Sequence, residues 1–343
     1  MPKKNGPVIS DIAARAKVSQ ATVDRVLNRR AGVREMTAKR VLQAAADLGY
    51  LAEDDLFKAL RPRPMRIVFL LPAGTNPYLR LLGDILKGAA ERSDDNVTIR
   101  CYFIDSFNPR LLSEALRRYG DKADGIAFMA IDHPQIREAV SALHAKGKHV
   151  VTIVSDVSNS SRIAYVGLDN RAVGRTAAYF LGRFAHGARG SVALIAASRT
   201  YRAHEEREMG FLSLMAESFP DLSVVGLREG HDNRDENYHH AARLLSEHHE
   251  LVGIYNVGGS SDGIARALRE SARERRVLFI GHGLTADTRA MLVDDLMDVV
   301  ITQSPQIIAQ NAIQIFTNIR NGHAPLAGVP HLIMEVVTKE NLP

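Results

Sequence analysis

From Arg66 to the C terminus the chain repeats one pattern: a short apolar run, then a longer stretch with apolar residues at helical spacing. The runs are RIVFLL (66–71), VTIRCYF (97–103), GIAFMA (125–130), HVVTIV (149–154), SVALIA (191–196), SVVGL (223–227), GIYNV (253–257), VLFIG (277–281) and DVVIT (298–302). Runs this short and apolar are strands, and those without polar alternation are buried on both faces, as in parallel sheets covered by helices. Strands alternating with helices make βαβ units. So many strands exceed one small sheet, so the expectation is an α/β body of two doubly wound parallel-sheet lobes, five or six strands each. Ligands of such folds bind beyond the carboxyl ends of the strands, at a switch in strand order. Two such lobes facing each other frame a cleft.

The first 65 residues read differently. Three short helices are expected, near Ile9–Lys17, Gln20–Asn28 and Thr37–Leu48, with Ser19 as an N-cap and Gly49 as a stop. LAEDDLFKALRPRPM (51–65) is polar, charged and closed by Pro62 and Pro64, the composition of a linker. Charge divides at the same place. Residues 1–64 hold 13 Lys and Arg against 7 Asp and Glu, and the rest of the 343-residue chain holds 31 against 32. A basic head on a neutral body points to a polyanionic partner for the head. No apolar run is long enough to span a bilayer, and no apolar segment follows Lys3 and Lys4, so neither a membrane span nor a leader is expected. Cys101 is the sole cysteine, which excludes an internal disulfide framework and suits a reducing cytoplasm.

A second helix that follows the first after a tight turn is the helix-turn-helix arrangement, whose second helix presents its N-terminal residues to base edges in the major groove. VSQATVDRVLN (18–28) fits this, with Val23, Val26 and Leu27 at helical spacing and polar groups between them. Gln20 suits an adenine edge, Ala21 a thymine methyl and Arg25 a guanine or a phosphate. Ser19, Thr22 and Asn28 are phosphate donors, and Arg29, Arg30, Arg34, Lys39 and Arg40 supply backbone charge.

Residues 8–50 resemble the DNA-binding domain of the lactose-repressor (LacI) family. The family pattern D-[IV]-A-x-x-A-x-V-S-x-x-T-V-x-R-V-L-N is met by Asp11, Ile12, Ala13, Ala16, Val18, Ser19, Thr22, Val23, Arg25, Val26, Leu27 and Asn28. By position, Gln20, Ala21 and Arg25 match the family's base-reading residues. There are departures. Asp24 replaces a usual serine and would repel phosphate or accept from a cytosine amine. Arg34 stands where a capping serine is common. EDDLFKAL (53–60) lacks the N-x-x-A-R-x-L pattern of a hinge helix that enters the minor groove.

Residues 66–343 resemble the same family's effector domain, of the type 1 periplasmic-binding-protein fold. The motifs are AGTNPYLRLLGDILKGA, YVGLDNRAVGRTAA, REMGF, IGHGLTADTRAML and DVVITQSP, taken in order. The resemblance implies a DNA-binding domain over 1–50, a linker over 51–65 and a ligand-binding domain over 66–343. Its first lobe would span about 66–165 and 304–327, its second about 166–302 and 328–343. It also implies Asn76 as a ligand amide, Tyr78 as a stacking aromatic, Arg207 as the residue gripping hydroxyls or a carboxylate, and Gln303 as an amide at a lobe crossover. Ser155 and Asp156, at the end of the run 149–154, are candidate hydroxyl acceptors. Gly283 stands where the family often has an acid, and VGGSS replaces an expected asparagine, leaving Ser260 or Ser261 as substitutes.

Other signals carry less. His239–His240 and His248–His249 lack the carboxylates of a metal site. GGSSDG (258–263) lacks the lysine of a P-loop. Ser155 and Ser198 lack a nucleophile elbow, and Cys101 reads as a strand residue. The expectation is a ligand-responsive, DNA-binding regulator, not an enzyme, without cofactor or metal. It would be a homodimeric repressor on a palindromic operator, with a sugar, polyol or sugar-derived acid in its cleft. A sugar sensor without DNA readout and an α/β enzyme with an appended head are the alternatives.

Overall fold

The computed structural model describes residues 7–28, 30, 32–51, 64–92, 97–105, 107–273 and 276–343. It divides into two compact units, Met1–Pro64 and Met65–Pro343. Arg29 and the linker stretch 53–60 lie outside the described residues.

The first unit holds α1 (Ile9–Ala16), α2 (Gln20–Leu27) and α3 (Glu35–Asp47). Lys17, in the left-handed region at φ 52°, ends α1. Ser19 starts α2 two residues later, its Oγ accepting from Thr22 N at 3.2 Å. Ile12, Ala13, Val23, Val26, Val41, Leu42 and Ala45 form the core. Helix α3 begins two residues before the expected Thr37. Its N-cap is Arg34, which makes no side-chain capping bond.

In the second unit the chain runs β1 (Met65–Pro72), α4 (Pro77–Arg92), β2 (Val97–Ile104), α5 (Pro109–Gly120), β3 (Gly125–Phe128), α6 (Pro134–Ala145), β4 (His149–Ile153) and β5 (Ala164–Val166). It continues as α7 (Asn170–Phe184), β6 (Gly190–Ala196), α8 (Arg202–Ser218), β7 (Leu222–Glu229), α9 (Arg234–Glu247), β8 (Leu251–Asn256), α10 (Ser261–Glu270) and β9 (Leu278–His282). It ends with α11 (Ala286–Val293), β10 (Val299–Thr302), α12 (Pro305–Arg320) and β11 (Glu335–Val337). Several helices start from a polar cap followed by proline, as at Asn108–Pro109, His133–Pro134 and Ser304–Pro305; the cap accepts an orphan N–H and proline lacks one.

Two sheets form, in the orders β2-β1-β3-β4-β5 and β11-β10-β9-β8-β6-β7. Strand β1 pairs in parallel with β2 and β3, so MRIVFLLP is apolar almost throughout. Edge strand β2 is half-wetted and alternates. Strands β7, β6, β8, β9 and β10 repeat the winding of β2, β1, β3, β4 and β5, so each lobe reverses strand order beside its first strand. The sequence pattern misses β5 and β11, each three residues long, too short to carry a period. Strand β11 pairs antiparallel to β10.

The chain passes between the lobes three times. Helix α12 returns from the second sheet to the first lobe, where Ile308, Ala312, Ile315 and Phe316 join the core of Phe69, Ile126 and Phe128. The chain then leaves again to form β11. The second lobe has a core on each face of its sheet, one around Phe279 and Leu268, the other around Phe211, Tyr255 and Leu181.

Candidate functional site

On the head, Val23 and Val26 turn α2 inward, which leaves Gln20, Ala21 and Arg25 exposed together on the opposite face. Ser19 and Thr22 share a hydroxyl contact of 2.9 Å at the start of that face. Asp24 has partners within the head itself. Its carboxylate accepts from Asn28 Nδ2 at 2.7 Å and from Arg30 Nη1 at 3.0 Å, so it ties down the end of the helix and neutralises a neighbour. Asn28 is thereby held, its amide also donating to Asp24 O.

In the body, a cavity of about 50 Å³ lies between the lobes at the carboxyl ends of the strands. Asn76, Tyr78, Arg207 and Gln303 line it, brought together from the start of α4, from α8 and from the end of β10. Arg207 owes its place to the contact of α7 with α8. A Cβ on Gly174 would sit 1.9 Å from Arg207 O, so only glycine allows the helices this close. Arg207 Nε then donates to Asn170 Oδ1 at 2.9 Å and Nη1 to Val257 O at 2.8 Å. The guanidinium is only 6% exposed, and that burial pulls its pKa below the ordinary arginine value. Tyr78 reaches across from α4, its hydroxyl donating to Gln303 O at 3.0 Å, and burial pushes its pKa up. Gln303 Oε1 is buried without a hydrogen-bond partner.

Ser155, Asp156 and Ser260 go elsewhere. Strand β4 stops at Ile153, and the chain makes a three-residue turn closed by Ser155 N donating to Ile153 O at 2.6 Å. Its centre, Val154, has φ 63°, a strained value for a β-branched residue, and it is Val154 that lines the cavity. The turn aims Ser155 at the start of α8, where Oγ accepts from Ala203 N at 3.4 Å. Asp156 is engaged by Arg162 Nε and Nη2 and by Thr152 Oγ1. Neither residue is in the cavity lining, because the strand ends one residue earlier than expected and the turn places Val154 there instead. Ser260 also lies off the cavity lining, its Oγ donating to Asp232 O at 2.6 Å.

Three ionisable residues of the cavity were not among the expected site residues: His204, Asp232 and His282. Burial holds His204 near pKa 3 and His282 well below the usual histidine range, with Arg207 nearby adding to both shifts. Both rings are therefore neutral, and His282 Nε2 meets Tyr255 OH at 2.8 Å. Asp232, in the left-handed region at φ 52°, joins the lobes. Its Oδ2 accepts from Asn76 Nδ2 at 2.8 Å and its Oδ1 from Gly259 N at 2.6 Å. Burial raises its pKa against those two bonds. No local pattern marks these residues: His204 lies on a helix, Asp232 in a loop and His282 at the end of β9, and the partners of Asp232 and His282 are far off in the chain.

Residues 67–324 match the periplasmic binding protein domain family, and residues 8–53 match the bacterial regulatory proteins of the lacI family. The chain belongs to the periplasmic binding protein domain family and carries a lacI-family head. It is 27% identical over 311 residues to an uncharacterized HTH-type transcriptional regulator in the aml 5′ region of Streptomyces limosus, covering 87% of this chain and 82% of that one. Its fold is similar to that of GanP, a glucose-galactose binding protein from Geobacillus stearothermophilus, with TM-score 0.73 and 23% identity over 82% of this chain and 100% of that one. It is also similar to a solute binding protein from Burkholderia graminis C4D1M in complex with D-arabinose, with TM-score 0.74 and 22% identity over 82% and 98% of the two chains.

Gly259 and Gly283, in the two stretches that depart from the expected pattern, both sit against residues of the other lobe. A Cβ at Gly259 would lie 2.4 Å from Asn76 Nδ2, and one at Gly283 would lie 3.1 Å from Tyr78 Cβ. Glycine at 259 and 283 leaves room where Asn76 and Tyr78 cross from the other lobe. Among the described residues no group of three His, Cys, Asp or Glu is placed to hold a metal ion. No described helix is long and apolar enough to cross a membrane.

Proposed function

We propose that the protein is a ligand-responsive transcriptional repressor that reads a palindromic operator as a homodimer. Ser19, Gln20, Ala21, Thr22, Arg25, Asn28 and Arg29 would form its DNA contacts, with Gln20, Ala21 and Arg25 at base edges. Its effector would occupy the interlobe cavity, held by Asn76, Tyr78, Arg207 and Gln303. The similar solved proteins bind sugars, which supports a sugar, polyol or sugar-derived acid as the class.

One observation carries this reading: a lacI-family head with an exposed Gln20–Ala21–Arg25 face joined to a body whose cleft holds a buried arginine. The lobes already touch through Asn76 and Asp232 and through Thr75 Oγ1, which lies 3.2 Å from Ser260 Oγ. An effector that prefers one closure state over the other shifts that equilibrium. Coupling of about 1–3 kcal/mol changes operator affinity roughly 5–150-fold.

Selection of duplexes from a random pool by the purified full-length chain tests the reading. Enrichment of one inverted repeat supports a dimeric sequence reader. Failure to enrich any sequence, by folded protein supplied with metabolite extract, overturns it.

A further inference from the structure

The lining of the cavity bears on what it holds. A sugar presents a hydroxyl at nearly every carbon, and a site for it must offer acceptors and donors around the whole ring. This cavity is mixed, and several of its polar groups, Asn76, His204, His282 and Thr302, already bond to the protein. Leu79, Met129, Val154, Leu168 and Ile301 form much of its wall. Its carboxylate, Asp232, has both oxygens engaged by Asn76 and Gly259.

Two groups in the wall are incomplete. Arg207 carries a full charge into a site nine-tenths buried, yet its bonds go to a neutral amide and a neutral carbonyl. Among the described residues no carboxylate is in salt-bridge range of it. Asp232, in the same wall, acts on it only from beyond salt-bridge range; a buried cation without a contacting counter-ion is costly, and an anionic ligand removes that cost. Gln303 Oε1 is the second, a buried acceptor with no donor. The space left in this closed state is about 50 Å³, so even a small acid enters only as the lobes part, and a full sugar ring needs them to part further.

We propose that the cleft binds a small hydroxy-carboxylate with an apolar body. Its carboxylate lies on Arg207, its hydrocarbon packs against the wall around Val154 and Ile301, and its hydroxyl donates to Gln303 Oε1. This rests on the reading of the cleft as the effector site and narrows the effector to the small acids.

Calorimetric titration of the full-length chain tests it. The probes are 3-hydroxybutyrate and 2-hydroxyisovalerate, their amides, the deoxy acids butyrate and isovalerate, and D-glucose and D-arabinose. The expected result is a hydroxy acid bound at least about tenfold tighter than its amide, the difference a charge-assisted pair makes. Arg207→Gln erases the preference for acid over amide, and Arg207→Lys, which keeps the charge, retains it in part. Gln303→Leu erases the preference for hydroxy over deoxy acid and leaves the preference for acid over amide. Circular dichroism of each variant shows that it is folded. A sugar binding tighter than every acid overturns the inference, as does the failure of both hydroxy acids to bind, or an acid preference that survives Arg207→Gln. Those results leave operator selection unaffected. A chain that binds a hydroxy acid but selects no DNA overturns the regulator reading and spares the ligand class.

Discussion

The head and the cleft handle their functional side chains in opposite ways. On the head, Gln20, Ala21 and Arg25 stand exposed, and the bonds that shape their helix join close neighbours: Ser19 with Thr22, Asp24 with Asn28 and Arg30. In the cleft, Arg207, Asp232 and Gln303 are buried, and their partners come from far along the chain, Asn170 for Arg207 and Asn76 for Asp232. The contrast follows from the partners each surface suits. A duplex is large, charged and wet, so a few exposed donors on one helix engage it without being desolvated beforehand. A small ligand offers few atoms, so its site must be dry and preformed, and burying polar groups requires partners from several elements.

The largest expected effect separates the two regions by their cores. Phe211 is fully buried and stacks on Tyr255 at 5.0 Å between ring centroids. Phe211→Ala is expected to cost the body about 3–5 kcal/mol while amide-exchange protection of α1–α3 stays unchanged. Loss of protection in both regions would break the comparison.

Next comes acid. Unfolding restores His204 to an ordinary pKa of about 6.5, whereas the folded protein holds it near 3. Below about pH 6.5 the unfolded chain therefore binds a proton the folded one does not. Stability of the body should fall as pH drops through the window from 6.5 to 3, by about 1.4 kcal/mol per pH unit for this group. Asp232, whose folded pKa is raised, acts in the opposite sense where it titrates. Urea melts across the window measure the slope, and His204→Gln should flatten it. An unchanged slope would mean that the ring is not held neutral by burial.

Arg25→Ala should weaken operator binding by about 1–3 kcal/mol, the worth of a bidentate base contact, while calorimetric ligand binding is preserved. A loss of both activities by a folded variant would show that the two sites do not divide the work as their geometry suggests.

The smallest effect sharpens the contrast inside the head. Arg34 caps α3 without a side-chain bond, and its positive charge faces the positive end of the helix. Arg34→Ser should stabilise the head by about 1 kcal/mol, read by thermal melting. It should also shallow the salt dependence of DNA binding by removing a cation that serves phosphate. Stabilisation with no change in salt slope would place Arg34 outside the DNA contacts.

Much of the fold was legible because its signals are local. The turn between α1 and α2, the Ser19 cap and the runs that became β1, β6 and β10 each depend on a few adjacent residues. Strands β5 and β11 were not, because three residues hold no period and their pairing partners supply their reason to be extended. The cleft was half legible. Asn76, Tyr78, Arg207 and Gln303, which the resemblance implies as ligand groups, all line the cavity. Ser155 and Asp156 lie off its lining, because the turn at Val154 depends on Val154 N bonding to Val166 O and Tyr165 OH bonding to Val154 O.

By itself, then, the sequence determined a basic three-helix head, a strand–helix body in two lobes, and which helix presents Gln20, Ala21 and Arg25 to solvent. Periodicity, caps and charge act over one or two turns of chain, and that range suffices for elements. Only the tertiary structure decided that Arg207 is a buried cation among neutral partners, that His204 and His282 are neutral, and that Asp232 joins the lobes. Those are properties of desolvation and of distance through space, and neither exists until the lobes have closed around the groups concerned.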